Sequence, residues 1–181
     1  MAYTRKSTTL RTIRLTRDLD NLLQNDAKSK NISINSLLTS ILVKYAEWDR
    51  YAEKFGLVSL TRADSKSLLE AIDDNKLSQI GQDLGKRAFK EFIILWFKKI
   101  DVEKVLEGIS LWCKYTGNAK YELETDGRNY TITLNHDIGE KWSNLTGHLV
   151  LQGIKTVLGL PNAKLDFTDS LIIIKFFIPQ P

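Results

Sequence analysis

The chain has 181 residues, of which 43% are hydrophobic and 27% charged, and a net charge of +4. This is the composition of a soluble globular protein with one ordinary domain, or one small and one medium domain. The one cysteine, Cys113, excludes an internal disulfide and a cysteine-based zinc site and points to a reducing compartment. The apolar runs 92–97 and 171–174 are too short to span a bilayer, and residues 1–9 lack the apolar stretch of a signal peptide. A cytoplasmic protein without a membrane partner is therefore expected.

The charge is unevenly placed. Residues 1–54 hold 10 Lys and Arg against 6 Asp and Glu, and residues 55–181 hold 16 of each. A small basic module attached to a neutral one is expected, divided as residues 1–55 and 56–181.

Residues 8–15 alternate as a short strand, with Arg11, Ile13 and Leu15 on one face and Leu10, Thr12 and Arg14 on the other. A solitary strand needs a partner. Thr16 then caps a helix whose apolar stripe is Leu19, Leu22, Leu23 and Ala27, with Asp18 and Asp20 suiting the partial positive charge of its first turn. Asn31 tolerates the left-handed conformation that follows a helix end. Ser33 caps a second helix carrying Leu37, Leu38, Ile41, Leu42, Tyr45, Trp48 and Ala52, which runs to about Lys54 and ends at Gly56.

Beyond Gly56 the pattern predicts a short strand over 57–61 and helices over 64–72 and 77–97. A further helix, capped by Asp101, runs to about Tyr115 and ends at Gly117. Residues 120–125 and 130–135 form a hairpin around Asp126-Gly127-Arg128. Residues 139–158 are helical and stop at Gly159-Leu160-Pro161. Residues 163–167 and 171–177 form a second hairpin around Thr168-Asp169-Ser170. The fold class is thus α+β, with several helices and a mostly antiparallel sheet after the N-terminal unit.

The strand, helix, turn and capped helix of residues 8–50 offer too little core to stand alone. Their order resembles the ribbon-helix-helix family of DNA-binding proteins. The resemblance is carried by Thr12-Ile13-Arg14-Leu15, by Leu19, Leu22, Leu23 and Ala27, and by Asn31-Ile32-Ser33-Ile34-Asn35-Ser36, with Leu37 and Ile41 following in register. It implies a homodimer, or a higher oligomer of it, in which two strands pair into an antiparallel ribbon that enters the major groove of double-stranded DNA. Leu10, Thr12 and Arg14 would then face base edges, although Leu10 departs from the family's usual polar residue. Arg11 stands where the family has an apolar residue and would turn to a phosphate. Ser33, Asn35 and Ser36, at the start of the second helix, would hold phosphates, and Arg5 and Lys6 would add salt-sensitive attraction.

Other candidates carry less chemistry. Gly81-Gln82-Asp83-Leu84-Gly85-Lys86-Arg87 is one residue short of a phosphate loop, lacks its Ser or Thr, and sits in a helical pattern. His136 and His148, with one cysteine, do not make a metal-ligand set. His136 beside Asp137 reads as a turn contact, and Cys113 as a packed thiol. Phe89, Phe92 and Trp96 share a helical face that suits a core, a dimer interface or an apolar ligand pocket.

Residues 120–178, with the run Tyr130 to Ser143, resemble the small-molecule-sensing domains of vinyl-reductase type and haem-nitric-oxide-binding-like type. No haem ligand is matched, so no cofactor is expected. The sequence therefore predicts a DNA-binding transcriptional regulator, a repressor being the simplest form. It is not expected to be an enzyme, with no catalytic residue and no metal. Its C-terminal domain would oligomerise, or sense a small-molecule or protein effector. The alternative is an antitoxin-like protein whose C-terminal domain binds a partner protein.

Overall fold

The computed structural model describes residues 9–179. The chain forms two compact units, Met1–Tyr45 and Ala46–Pro181.

In the first unit, α1 (Arg17–Ser29) is capped by Thr16, whose Oγ1 accepts from the Leu19 amide, and α2 (Ile34–Lys44) by Ser33. Between them Asn31 adopts φ 52°. The Ile32 amide donates to the Ala27 carbonyl at 3.0 Å, so the end of α1 closes as its sequence predicts. Leu23, Ala27 and Leu37 are buried, with Leu15, Ile34 and Leu38 packed around them.

The strand expected over 8–15 is not formed within the chain: residues 9–16 have neither helical nor strand structure. Thr8 lies outside the described residues. A strand's amides and carbonyls need a neighbouring strand, and the four strands among the described residues all belong to one sheet in the second unit.

The second helix is helical to Phe55 as its periodicity predicts, but in three parts: α2, a π turn (Tyr45–Asp49) and α3 (Arg50–Phe55). The compact units divide at the π turn instead of after residue 55. The reason is aromatic packing. Trp48 is buried against Phe92, Trp96 and Tyr115 at ring separations of 6.1, 5.2 and 5.8 Å, and Phe55 lies 5.9 Å from Phe92 and from Trp96. The π turn disturbs the regular ladder, and the Trp96 indole N–H donates to the Glu47 carbonyl at 3.0 Å.

Gly56, at φ 77°, ends α3. Residues 57–61 are not the expected short strand but lack regular structure, and Val58 is 85% exposed, so the segment has neither a partner strand nor a buried face. The remaining helices are α4 (Arg62–Glu70), α5 (Asp74–Phe97), α6 (Val102–Thr116) and α7 (Glu140–Leu158). Thr61, Asp73 and Asp101 cap the first three through side-chain oxygens. Those caps place the starts of α4 and α5 earlier than hydrophobic spacing alone did.

Strands β1 (Lys120–Thr125), β2 (Asn129–Asn135), β3 (Lys164–Phe167) and β4 (Leu171–Phe177) form one antiparallel sheet in the order β1-β2-β4-β3. Both expected hairpins are present. In the first, the Asp126 carboxylate accepts from the amides of Arg128 and Asn129 and from the Asn129 side chain, at 2.9, 2.7 and 2.8 Å. Those bonds favour the carboxylate and hold its pKa down at about 2.

Alternation buries one face of the sheet. Ile132 opposes Ile174 and Leu134 opposes Ile172, and all four are wholly buried. Helix α7 lies against this face so closely that a Cβ on Gly147 would come 2.9 Å from Leu165 Cδ1. Helix α5 lies on α7 with equal intimacy. A Cβ on Gly81 or Gly85 would come 2.4 Å from the carbonyl oxygen of Leu145 or Leu149 respectively. These glycines form a helix-packing seam inside α5 and not a phosphate loop.

Candidate functional site

The candidate nucleic-acid contacts all lie in the first unit. Leu10 is 89% exposed and Ile13 61% exposed. Arg11, Thr12 and Arg14 are exposed as well, and Leu15 is the first residue of the segment to lean on the small core. Among the described residues Arg11 donates to the carbonyl of Leu10, at 3.4 Å. Arg5 and Lys6 lie outside the described residues.

Ser33, Asn35 and Ser36 come together, exposed, in the first turn of α2. The Ser33 Oγ accepts from the Ser36 amide at 3.0 Å and lies 2.8 Å from the Ser36 Oγ. One hydroxyl proton is thus shared within the pair, and the other remains available as a donor. The remaining unpaired amides of the turn point along the helix axis, where the partial positive charge of α2 favours an anion.

The expected stripe on α1 is only half used. Leu23 and Ala27 are buried, whereas Leu19 is 45% and Leu22 56% exposed. The same holds on α2, where Leu37 is buried but Ile41 and Leu42 are 46% and 66% exposed.

In the second unit, His136 and Asp137 part company. The His136 Nδ1 accepts weakly from the Ile138 amide at 3.4 Å, and its Nε2 lies 2.8 Å from the wholly buried Ser143 Oγ. The imidazole packs on Trp142, with ring centroids 4.4 Å apart. Burial lowers its pKa, against the opposing pull of Asp137 and Asp169. Asp137 instead accepts from Arg62 at 2.6 and 2.7 Å, and the same guanidinium donates to the Gly117 carbonyl at 2.6 Å. Sequence spacing could not reveal that bond, because its partners come from the start of α4 and the end of β2.

Cys113 is buried, and desolvation pushes its thiol up to about 12, so it is protonated and inert at neutral pH. Phe89 and Trp96 are buried and Phe92 is half-buried; this face is core. Phe89, Phe92, Gly108, Ile109, Trp112 and Leu149 also border a small apolar cleft of about 180 Å³.

Among the described residues no group of three or more His, Cys, Asp or Glu is placed to hold a metal ion, and no helix is long and apolar enough to cross a membrane. Compared with known proteins, the chain matches no protein-family model, no curated protein and no solved structure.

Proposed function

We propose that the protein is a sequence-specific DNA-binding transcriptional regulator that acts as a homodimer. In this reading two copies of the 9–16 segment pair as an antiparallel ribbon in the major groove. Leu10, Thr12 and Arg14 face base edges, while Arg11, Ser33, Asn35 and Ser36 meet phosphates. The α+β unit strengthens oligomerisation or senses an effector.

The observation that carries the reading is the apolar surface of the first unit. Ile13, Leu19, Leu22, Ile41 and Leu42 are between 45% and 66% exposed, against a core of three buried side chains. A segment of this size does not stabilise itself on three buried residues, and oligomerisation is the usual remedy. An exposed apolar patch of this kind marks an interface. The segment beside it, without helical or strand structure over residues 9–16, carries the Thr and Arg that a groove-binding ribbon requires.

The test is selection of a duplex from random DNA, followed by titration of that duplex with wild type and Arg14→Ala at several salt concentrations. A bidentate arginine–guanine contact contributes roughly 1–3 kcal/mol. Arg14→Ala should therefore weaken the selected duplex at least tenfold, leave the helical circular dichroism unchanged, and bind random DNA nearly as wild type does. Equal affinity of both proteins for the selected duplex, or failure to enrich any duplex, removes the proposal.

A further inference from the structure

One cleft of the second unit is lined by both polar and apolar groups, and its chemistry has no bearing on DNA. It encloses about 750 Å³ between the end of α6, the start of β1, the end of β2 and the first residue of α4. Its size falls in the range of small-molecule sites.

The charges on its wall differ in whether they are already used. Arg62 is committed to Asp137 and the Gly117 carbonyl. Lys114 is committed to the Glu47 carboxylate at 3.0 Å. Lys120, at the first position of β1, makes no ion pair or hydrogen bond among the described residues. After these pairings cancel, the cleft keeps one uncompensated positive charge.

Its neutral polar groups are uncommitted in the same way. The side chains of Ser110, Asn118 and Asn135 line the cleft half-buried, and none has a hydrogen-bond partner among the described residues. Behind them the phenol oxygen of Tyr121 is buried and no protein group pairs with it. Half-buried amides and hydroxyls that make no bond within the fold turn their hydrogen-bonding capacity to whatever occupies the cleft. A cleft in which two amides and a hydroxyl are unpaired, beside a single available ammonium, is arranged for a ligand that pairs with them.

We propose that this cleft binds a small polar organic monoanion, its carboxylate on Lys120 and its hydrogen-bonding body against Ser110, Asn118 and Asn135. One uncompensated cation selects one negative charge. The two amides, each donor and acceptor, select a body with both kinds of group. The proposal goes beyond the DNA-binding reading and does not depend on it.

The test uses the full chain, labelled for amide NMR. It is titrated to 10 mM with three monocarboxylates (nicotinate, 4-hydroxybenzoate and lactate) and with the neutral amide of each. At least one carboxylate should give a saturable 1:1 shift of amides in 117–121 and 135–137, and its amide should bind at least tenfold more weakly. Lys120→Gln, an exposed substitution, should weaken that carboxylate at least tenfold, Lys120→Arg should restore it, and the rest of the spectrum should not move.

Four results would each overturn the proposal. These are no saturable shift from any carboxylate, equal binding of carboxylate and amide, unchanged affinity in Lys120→Gln, and shifts centred on Gly108 and Leu149 of the apolar cleft.

Discussion

Gly85→Ala tests whether the contact between α5 and α7 is as close as its geometry implies. A Cβ at Gly85 would lie 2.4 Å from the Leu149 carbonyl oxygen, 2.8 Å from the Gln152 Cβ and 2.9 Å from the Gly153 amide nitrogen. Comfortable contacts between such atoms begin near 3.5 Å, so the two helices must separate by roughly 1 Å. Two of the three obstructing atoms are backbone and cannot rotate aside, which places the overpacking penalty in the upper part of the usual range of about 1–3 kcal/mol. Alanine recovers about 1 kcal/mol of helix propensity over glycine. The net loss is about 1–2 kcal/mol, or roughly 2–8 °C in Tm for a domain of this size. All four tryptophans, Trp48, Trp96, Trp112 and Trp142, lie in the second unit, so their fluorescence during urea or thermal unfolding reports this unit alone. Gly108→Ala is the comparison, because its Cβ would meet only side-chain atoms, Ile93 Cδ1 at 2.6 Å, Phe92 Cε1 at 3.1 Å and Phe97 Cε2 at 3.4 Å, which can yield. A Gly85→Ala protein as stable as wild type, or less damaged than Gly108→Ala, would refute the seam.

Two further perturbations address the other packing claims. Leu22→Glu should convert a dimer to monomers in sedimentation velocity: burying one leucine contributes about 1.5–3 kcal/mol, the substitution occurs twice in a symmetric pair, and the dimer constant should rise roughly a hundredfold or more; a variant that stays dimeric shows that the exposed apolar face is not the interface. His136→Gln should flatten the acid limb of stability. Burial holds the folded His136 below its ordinary value of about 6.5, so the neutral ring's contribution is complete above pH 6.5 and is lost as pH falls through the folded pKa, where the unfolded state binds more protons. Urea midpoints at pH 7, 6 and 5 should fall more steeply for wild type than for the variant, and the reverse order contradicts a desolvated imidazole.

What the sequence conveyed and what it withheld divide along one physical line. Local signals were legible. Ser33, Thr16 and Asp101 marked helix starts because an N-cap is a contact between near neighbours. Asn31 and Gly117 marked helix ends because a left-handed residue excludes most side chains. The turns at 126–128 and 168–170 marked both hairpins, because a tight turn is likewise a local feature. Contacts between distant segments were not legible. Trp48 read as one more apolar position on a long helix. It sits in the second compact unit because Phe92, Trp96 and Tyr115 receive it. The apolar pattern starts α4 near Asp64 and α5 near Leu77, yet Thr61 and Asp73 cap those helices from outside it. The polar cleft was invisible in the same sense, since Arg62, Lys120 and Asn135 share no motif and meet only through the fold.

The parity of residues 10–15 constrains what the proposed ribbon can expose. Leu15 already leans on the core of the first unit, and Ile13 lies two positions before it, so both side chains take the same face of an extended chain. Pairing with a second copy would cover Ile13 and extend that core. The opposite face then carries Leu10, Thr12 and Arg14 with no freedom to choose otherwise. A slip of one residue would bury Arg14 and expose Ile13, whereas this register leaves Arg11, which shares the face of Ile13 and Leu15, at the margin of the core where it can turn outward. In the proposed dimer the hydrophobic pattern would therefore set both the register of the ribbon and the side chains offered to a groove. Leu10 is the one residue that gains nothing from water on that face, and contact with a thymine methyl is the complement that suits it.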